Sequence, residues 1–260
     1  PTLYVRGEAN LDTGRAFAIV GSRRATRDGR RAATEFVATL AREGVCVVSG
    51  LARGVDTCAH EGALEGGGTT VVVLGSGADV IYPQENEPLA ARILDAGGAI
   101  VSEYAPGVRP AQGNFPARNR VISALCGGVL LVEGSMTSGA MITANFALEQ
   151  GREVFAVPGS IYSPLSEAPN RLIYDGALPA LCAWDILERM GWGARPAQDA
   201  KSAPQIELSD EERRLVSALR EQELSFDELV ALSKFPASKL NSLLTTLLLR
   251  GIIVKAPGGI

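Results

Sequence analysis

Little in this chain points to metal, redox or membrane chemistry. Its four cysteines, Cys46, Cys58, Cys126 and Cys182, lie far apart and show no C-x-x-C spacing. That spacing places two thiolates on one metal or in one redox motif. Isolated thiols among small or apolar neighbours read instead as buried side chains of a reducing, cytoplasmic setting. The single histidine, His60, leaves too few soft ligands for a zinc site, so no metal and no other cofactor are expected. No apolar run approaches the roughly 20 residues that span a bilayer. The first residues lack the layout of a signal peptide, so no membrane partner is expected.

The glycine fingerprints of nucleotide sites are missing too. Where G-x-G-x-x-G would let a pyrophosphate approach the backbone, the turn after Phe17–Val20 reads Gly21-Ser22-Arg23-Arg24, with arginines in place of glycines. A strand that hands over to a helix through glycine gathers backbone N–H groups and a positive helix end, and arginines there add charge-assisted bonds to a phosphate. The competing account is a solvated, basic first turn on an ordinary helix. No Walker A run and no G-x-S-x-G elbow occur, and one histidine leaves little room for a nucleophilic triad. Nor is positive charge in excess: 25 Lys and Arg stand against 29 Asp and Glu, a net charge of −4. Proteins that coat nucleic acid are usually basic overall, so any basic site here is local. Residues 15–31 hold Arg15, Arg23, Arg24, Arg27, Arg30 and Arg31 against Asp28 alone, and residues 104–120 hold Arg109, Arg118 and Arg120 with no acid. Two arginine clusters on an acidic protein describe a lined site rather than a sticky surface.

What is present is an alternation of strands and helices. Phe17–Val20, Val45–Ser49, Thr70–Leu74, Ile100–Glu103, Val129–Glu133 and Val154–Val157 are apolar without polar alternation, as strands buried on both faces of a parallel sheet must be. Helical periods fall between them, followed by Gly44, Gly66, Gly97, Gly127 and Gly151 where a left-handed cap is wanted. The expected fold is α/β, an extended Rossmann-like parallel sheet over residues 16–190. Residues 1–15 are an N-terminal remnant, 191–206 a linker, and 207–260 a small winged-helix-like domain. Within the main domain, Asn170–Ala177 reads as an N-capped short helix carrying Leu172 and Ile173. In the small domain, Ser209-Asp-Glu-Glu212 and Ser225-Phe-Asp-Glu228 read as capping boxes, and Gly251–Lys255 as a β-like tail. Eight acids and seven bases over residues 205–260 make a protein-contact or dispensable module the better reading of that domain than direct duplex contact.

Ligands of such sheets bind beyond the strand carboxyl ends, where Arg23, Arg53, the hydroxyls of Ser135, Thr137 and Ser138, and N–H groups near Gly139 are expected to converge on an anion pocket. In Asn114-Phe-Pro-Ala-Arg-Asn-Arg120, Phe115 offers a ring for base stacking or a staple for the helix start. Arg118 and Arg120 reach for phosphates, and Asn119 holds a base edge or a turn. Asp56 and His60, four residues apart on one helix face, could form an acid–base pair or serve structure, and Glu103 and Glu133 stand at strand ends.

Together these motifs carry a resemblance. Gly21-Ser-Arg23, Ser49-Gly-Leu-Ala-Arg-Gly-Val-Asp56 with Ala59-His60, Tyr82-Pro83, Phe115-Pro-Ala-Arg-Asn-Arg-Val-Ile-Ser123, Ser138-Gly139, Thr143-Ala144 and Ala156-Val-Pro-Gly159 resemble the DprA/Smf DNA-processing family over residues 16–190. The resemblance implies a non-enzymatic single-stranded DNA binder that dimerises and loads the RecA recombinase in natural transformation or DNA repair. It also implies that Arg23, Arg53, Arg118 and Arg120 line the strand pocket, to which the reading of the residues adds Gly21, Ser22, Phe115, Asn119, Ser138 and Gly139, and it implies a homodimer edge at Leu172 and Ile173. The family's usual Ser-x-Gly-Thr-Asn is here Ser166-Glu-Ala-Pro-Asn170, and the helical N-terminal domain of many members is not among these residues. Two other accounts compete. One is a Rossmann enzyme related to nucleoside monophosphate phosphoribohydrolases, whose P-G-G-x-G-T-x-x-E motif is absent; the other is a winged-helix regulator of duplex DNA.

Overall fold

All six apolar runs form parallel strands in a computed structural model that describes residues 2–8, 14–196, 209–221, 226–233, 235–249 and 253. They are β2 (Ala16–Val20), β3 (Cys46–Ser49), β4 (Thr70–Leu74), β5 (Ala99–Ser102), β6 (Gly128–Leu131) and β7 (Glu153–Ala156). Two short strands complete the sheet. β1 (Tyr4–Gly7) pairs antiparallel with β5, and β8 (Leu178–Pro179) pairs with β7, in the order β1-β5-β4-β3-β2-β6-β7-β8. β1 was not legible because its residues are all exposed, so no buried face imposed a period on them.

The helices are α1 (Arg27–Arg42), α2 (Val55–Glu65), α3 (Glu87–Asp95), α4 (Asn114–Ala124), α5 (Gly139–Glu149), α6 (Glu167–Tyr174) and α7 (Ala183–Arg189). Successive strand residues point to opposite faces. Phe17 and Ile19 of β2 pack with α1, α2 and α7, while Ala16, Ala18 and Val20 pack with α4, α5 and α6. The chain moves outward from β2 through β3 and β4 to β5, then α4 returns it to β6 on the other side of β2. The sheet therefore changes direction between β2 and β6, the place where such sheets open a crevice.

Three local expectations need correction. Gly44, Gly97 and Gly151 take the left-handed conformation, but after α2 it is Gly67 that does so, and Gly66 is right-handed. Gly127 also keeps an ordinary φ; a Cβ there would come 2.9 Å from the Met190 methyl, so close packing explains it. Helix α6 starts at Glu167, and Asn170 is not its cap. The Asn170 carboxamide instead bridges Gly159, accepting from its N–H at 3.1 Å and donating to its carbonyl at 3.0 Å.

Two compact units emerge, Pro1–Arg195 and Pro196–Ile260. In the second, α8 (Asp210–Glu221), α9 (Phe226–Ser233) and α10 (Ala237–Leu249) bury Leu215, Leu229, Leu240, Leu244 and Leu247 together. The first capping box is present: Glu212 accepts from the Ser209 N–H at 2.8 Å, and Ser209 Oγ from the Glu212 N–H at 3.2 Å. Ser225 of the second box, the tail apart from Ile253, and residues 197–206 of the linker lie outside the described residues.

Candidate functional site

A groove of about 730 Å3 lies at the carboxyl ends of the strands, at the change of direction. The β2 end contributes Gly21, Ser22 and Arg23, and α4 contributes Phe115, Arg118 and Asn119. Ser135, Thr137, Ser138 and Gly139 come from the turn into α5. Glycine brings the first of these close to the next turn. Gly54 sits at φ +78°, and a Cβ there would fall 2.3 Å from the Ser22 carbonyl, which accepts from the Val55 N–H at 3.2 Å. Arg23 is thereby held at the mouth. It lies exposed over the Phe115 ring, 5.7 Å from its centroid, with no carboxylate in ion-pair range among the described residues. Phe115 is half-buried and packs on Tyr82, ring centroids 5.4 Å apart. The staple and the stacking surface are thus one ring, buried on one side and offered to the groove on the other.

The two helix N-termini at the crevice are treated differently. At α1 the Thr26 hydroxyl accepts from the Gly29 N–H, and Glu133 from the end of β6 accepts from the Thr26 N–H at 2.9 Å and its hydroxyl at 2.6 Å. The protein's own carboxylate occupies the end where a Rossmann phosphate would sit. At α5 Ser138 caps the Met141 N–H, while the Gly139 and Ala140 N–H groups take no partner among the described residues. The open positive helix end therefore belongs to α5, beside Ser135 and Thr137, and not to the helix that the Gly21 loop begins.

Beneath the groove lies a buried network. Arg118 is 6% exposed and donates to the Gly50 carbonyl at 3.0 Å, to the Val73 carbonyl, and through Nε to Asn119 Oδ1 at 3.2 Å. Asn119 in turn donates to the Gly139 carbonyl at 2.9 Å. Asp56 accepts from the Gly50 and Ala52 N–H groups at 3.2 and 3.3 Å. Burial pushes its carboxyl up to about 6 against the pull of Arg118 and those N–H groups, and burial lowers Arg118 to about 10. His60 is fully buried. The one hydroxyl proton of Thr70 goes to the Val47 carbonyl, so His60 Nδ1–H must donate to Thr70 Oγ1 at 2.7 Å, which leaves Nε2 as an unpartnered acceptor. Burial, then Arg118, holds its pKa down to about 3. A histidine without access to solvent cannot exchange protons with a substrate, so His60 serves the core.

Arg53 lines a small adjoining pocket with Arg23, Tyr82, Phe115 and Arg118 and is clasped by Glu85, both N–O distances 2.6 Å; the other expected residues stand apart. Arg120 does not line the groove and is held by Glu103 at 2.6 Å. Leu172 is buried in the core and Ile173 packs against it. The large exposed apolar side chains between β7 and α7 are Ile161, Tyr162, Tyr174 and Leu181. Tyr82, Asp56 and Gln112 enter the lining without having been singled out for it. Tyr82 was visible in the Tyr82-Pro83 pair, but no spacing rule ties it to Phe115 across 33 residues of chain. No group of His, Cys, Asp and Glu among the described residues could hold a metal.

A family profile described as DNA recombination-mediator protein A matches residues 1–191. The chain belongs to that family. A second profile, the DprA winged helix domain, matches residues 199–259. Protein Smf of Escherichia coli is 40% identical over 262 residues, 99% of this chain and 70% of that protein. DNA processing protein DprA of Streptococcus pneumoniae is 43% identical over 188 residues, 71% of this chain and 65% of that protein. The chain thus spans about two thirds of these relatives. Its fold matches the Streptococcus pneumoniae DprA structure with a TM-score of 0.67 at 41% identity, over 72% of this chain and 65% of that one. It matches DNA processing protein A of Helicobacter pylori, reported for its single-stranded DNA binding mode, with a TM-score of 0.66 at 30% identity over 72% of this chain and 86% of that one. Members of the family are DNA-processing proteins, and in this chain the α/β sheet is followed by a segment that matches the DprA winged helix domain.

Proposed function

We propose that this chain binds single-stranded DNA in the groove between β2, α4 and α5 and, as a cytoplasmic homodimer, delivers the strand to the RecA recombinase in natural transformation or DNA repair. The observation that carries the reading is Arg23, a cation with no carboxylate partner among the described residues, lying across a half-exposed aromatic ring beside an open helix N-terminus. A phosphate there meets Arg23, Ser22, the Ser138 turn and the Gly139 N–H, while a base stacks on Phe115 against Tyr82. Asn119 shapes the pocket through Gly139, and Arg118 forms part of its floor. Arg53 and Arg120 contribute by exchanging Glu85 and Glu103 for phosphates, a swap of one ion pair for another that adds less than Arg23 does. Strand delivery and dimerisation are drawn from family membership. At the dimer edge, Leu172 and Ile173 anchor α6 to the core so that Tyr174 faces outward, near Ile161 and Tyr162 in sequence.

The test is fluorescence anisotropy with a labelled oligothymidine and a duplex of equal length, in two salt concentrations. Binding to the single strand alone, weakening by about 0.7 log unit per contacted phosphate per log unit of salt, supports the reading. Equal binding to the duplex, or a response insensitive to salt, counts against it. The phosphoribohydrolase reading would need Glu133 free for chemistry, and Glu133 is held by Thr26.

A further inference from the structure

We infer that Arg118 and Asp56 act on the DNA strand from beneath the groove, as a buried pair that positions α4 and α5, and not as phosphate contacts. The inference rests on the proposed single-strand binding and assigns how two of the lining residues serve it. The Arg118 guanidinium is committed to the protein: it donates to carbonyls at the ends of β3 and β4 and to the Asn119 carboxamide. A Cβ at Gly50 would lie 2.6 Å from Arg118 Nη2, so the β3 end presses directly on the guanidinium. Because Asn119 Oδ1 faces Arg118 Nε–H, its NH2 must face the Gly139 carbonyl, and this fixes the first turn of α5. One side chain thus links the ends of β3 and β4 to the open helix N-terminus through a single relay. Phe115 lies one helical turn before Arg118, against Gly75, where a Cβ would come 3.0 Å from its ring. Holding Arg118 therefore also holds the stacking ring.

Charge separates this role from a contact. Asp56 accepts from the Gly50 N–H and Arg118 donates to the Gly50 carbonyl, so the two opposite charges sit on either side of one residue and attract across it, and together they add little net charge to the surface that a phosphate meets. Among charged and titratable neighbours, Arg23 and Tyr104 also face Arg118, and Arg118 acts on His60. His60 stays neutral above about 3, and Arg118, at about 10, keeps its proton. Asp56, at about 6, takes up a proton on mild acidification and leaves Arg118 without a counter-ion. A protonated Asp56 also holds the Gly50 and Ala52 N–H groups less strongly, and because Arg118 is bonded to the Gly50 carbonyl, the relay to Asn119 loosens with them.

The experiment measures oligothymidine affinity of the full chain by anisotropy across a salt series, for the parent, Arg23→Ala, Arg118→Gln and Asp56→Asn, with circular dichroism to establish folding. Arg23→Ala is expected to shallow the plot of log affinity against log salt by about 0.7 for the lost phosphate. Arg118→Gln is expected to lower affinity about tenfold at every salt concentration and leave the slope of the parent. A slope reduced as in Arg23→Ala, or an unchanged affinity, overturns the inference. Should Arg118→Gln fail to fold, the pH profile decides. Parent affinity falls between pH 7 and pH 5 with a midpoint near 6, and Asp56→Asn, which has no proton to gain, lacks that step. A step that persists in Asp56→Asn overturns the inference while leaving single-strand binding intact. A parent that does not bind the oligonucleotide overturns both.

Discussion

Arg23 and Arg118 carry the same guanidinium and differ in everything around it. Arg23 is exposed with only a ring beneath it, so removing it costs the fold little: Arg23→Ala should leave the melting temperature within a degree or two of the parent. It should weaken oligothymidine binding about ten- to a hundredfold, the range of one charge-assisted bond; melting curves and anisotropy together check this. The buried titratable pair behaves oppositely at acid pH. His60 is held near 3 in the folded state, so below its unfolded value of about 6.5 the unfolded chain binds a proton that the native chain refuses. Its stabilising contribution is present above 6.5 and lost as pH falls. Asp56, raised to about 6, has the reverse sign: between about 6 and its unfolded value near 3.9 the native chain binds the extra proton, so acidification favours folding. The two slopes, each about 1.4 kcal/mol per pH unit, nearly cancel in the parent. Urea denaturation between pH 6 and pH 4 should therefore show Asp56→Asn losing stability relative to the parent and His60→Leu gaining it. Parallel curves for all three would contradict the assignment.

At the scale of elements, the crevice is governed by what each helix end is given. Helix α1 receives a threonine cap and a carboxylate from β6, and α5 receives only a serine. Thr26→Ala should cost about 1–2 kcal/mol, the upper range for a cap, because it also removes a partner of Glu133. Gly29 provides a sharper case. In a helix Gly→Ala ordinarily stabilises by up to about 1 kcal/mol, but a Cβ here would fall 2.3 Å from the Glu133 carboxylate. Gly29→Ala should destabilise, and Glu133→Ala in the same chain should restore much of the loss; thermal melts of the single and double variants measure that coupling.

At the scale of the molecule, the exposed aromatic and aliphatic side chains Ile161, Tyr162, Tyr174 and Leu181 fit the proposed dimer better than the buried Leu172. Tyr174→Arg should shift the mass seen by light scattering from two chains to one while leaving the circular dichroism spectrum unchanged. Retention of the dimer would move the interface elsewhere. The small C-terminal unit has its own leucine core and cap, and no helix among the described residues is long and apolar enough to cross a membrane.

The strands, their parallel order of use and the place of the crevice follow from the sequence, because burial on both faces leaves an unbroken apolar run and a loop at each end. Arg23 and Phe115 could be read there for the same reason: they stand in acid-free loops or at a helix start, and their chemistry needs no partner to be recognised. The tertiary structure decided which charges are spent. Arg53, Arg118 and Arg120 look alike in the chain, yet Glu85, Asp56 and Glu103 come to them from distant segments. Only packing turned one into a floor and two into ion pairs. It likewise closed one of the two helix ends that the sequence offered, since Glu133 reaches Thr26 at α1 across 107 residues, and left the end at Gly139 open. Local pattern records what a residue can bind; long-range contact determines whether that capacity is still free.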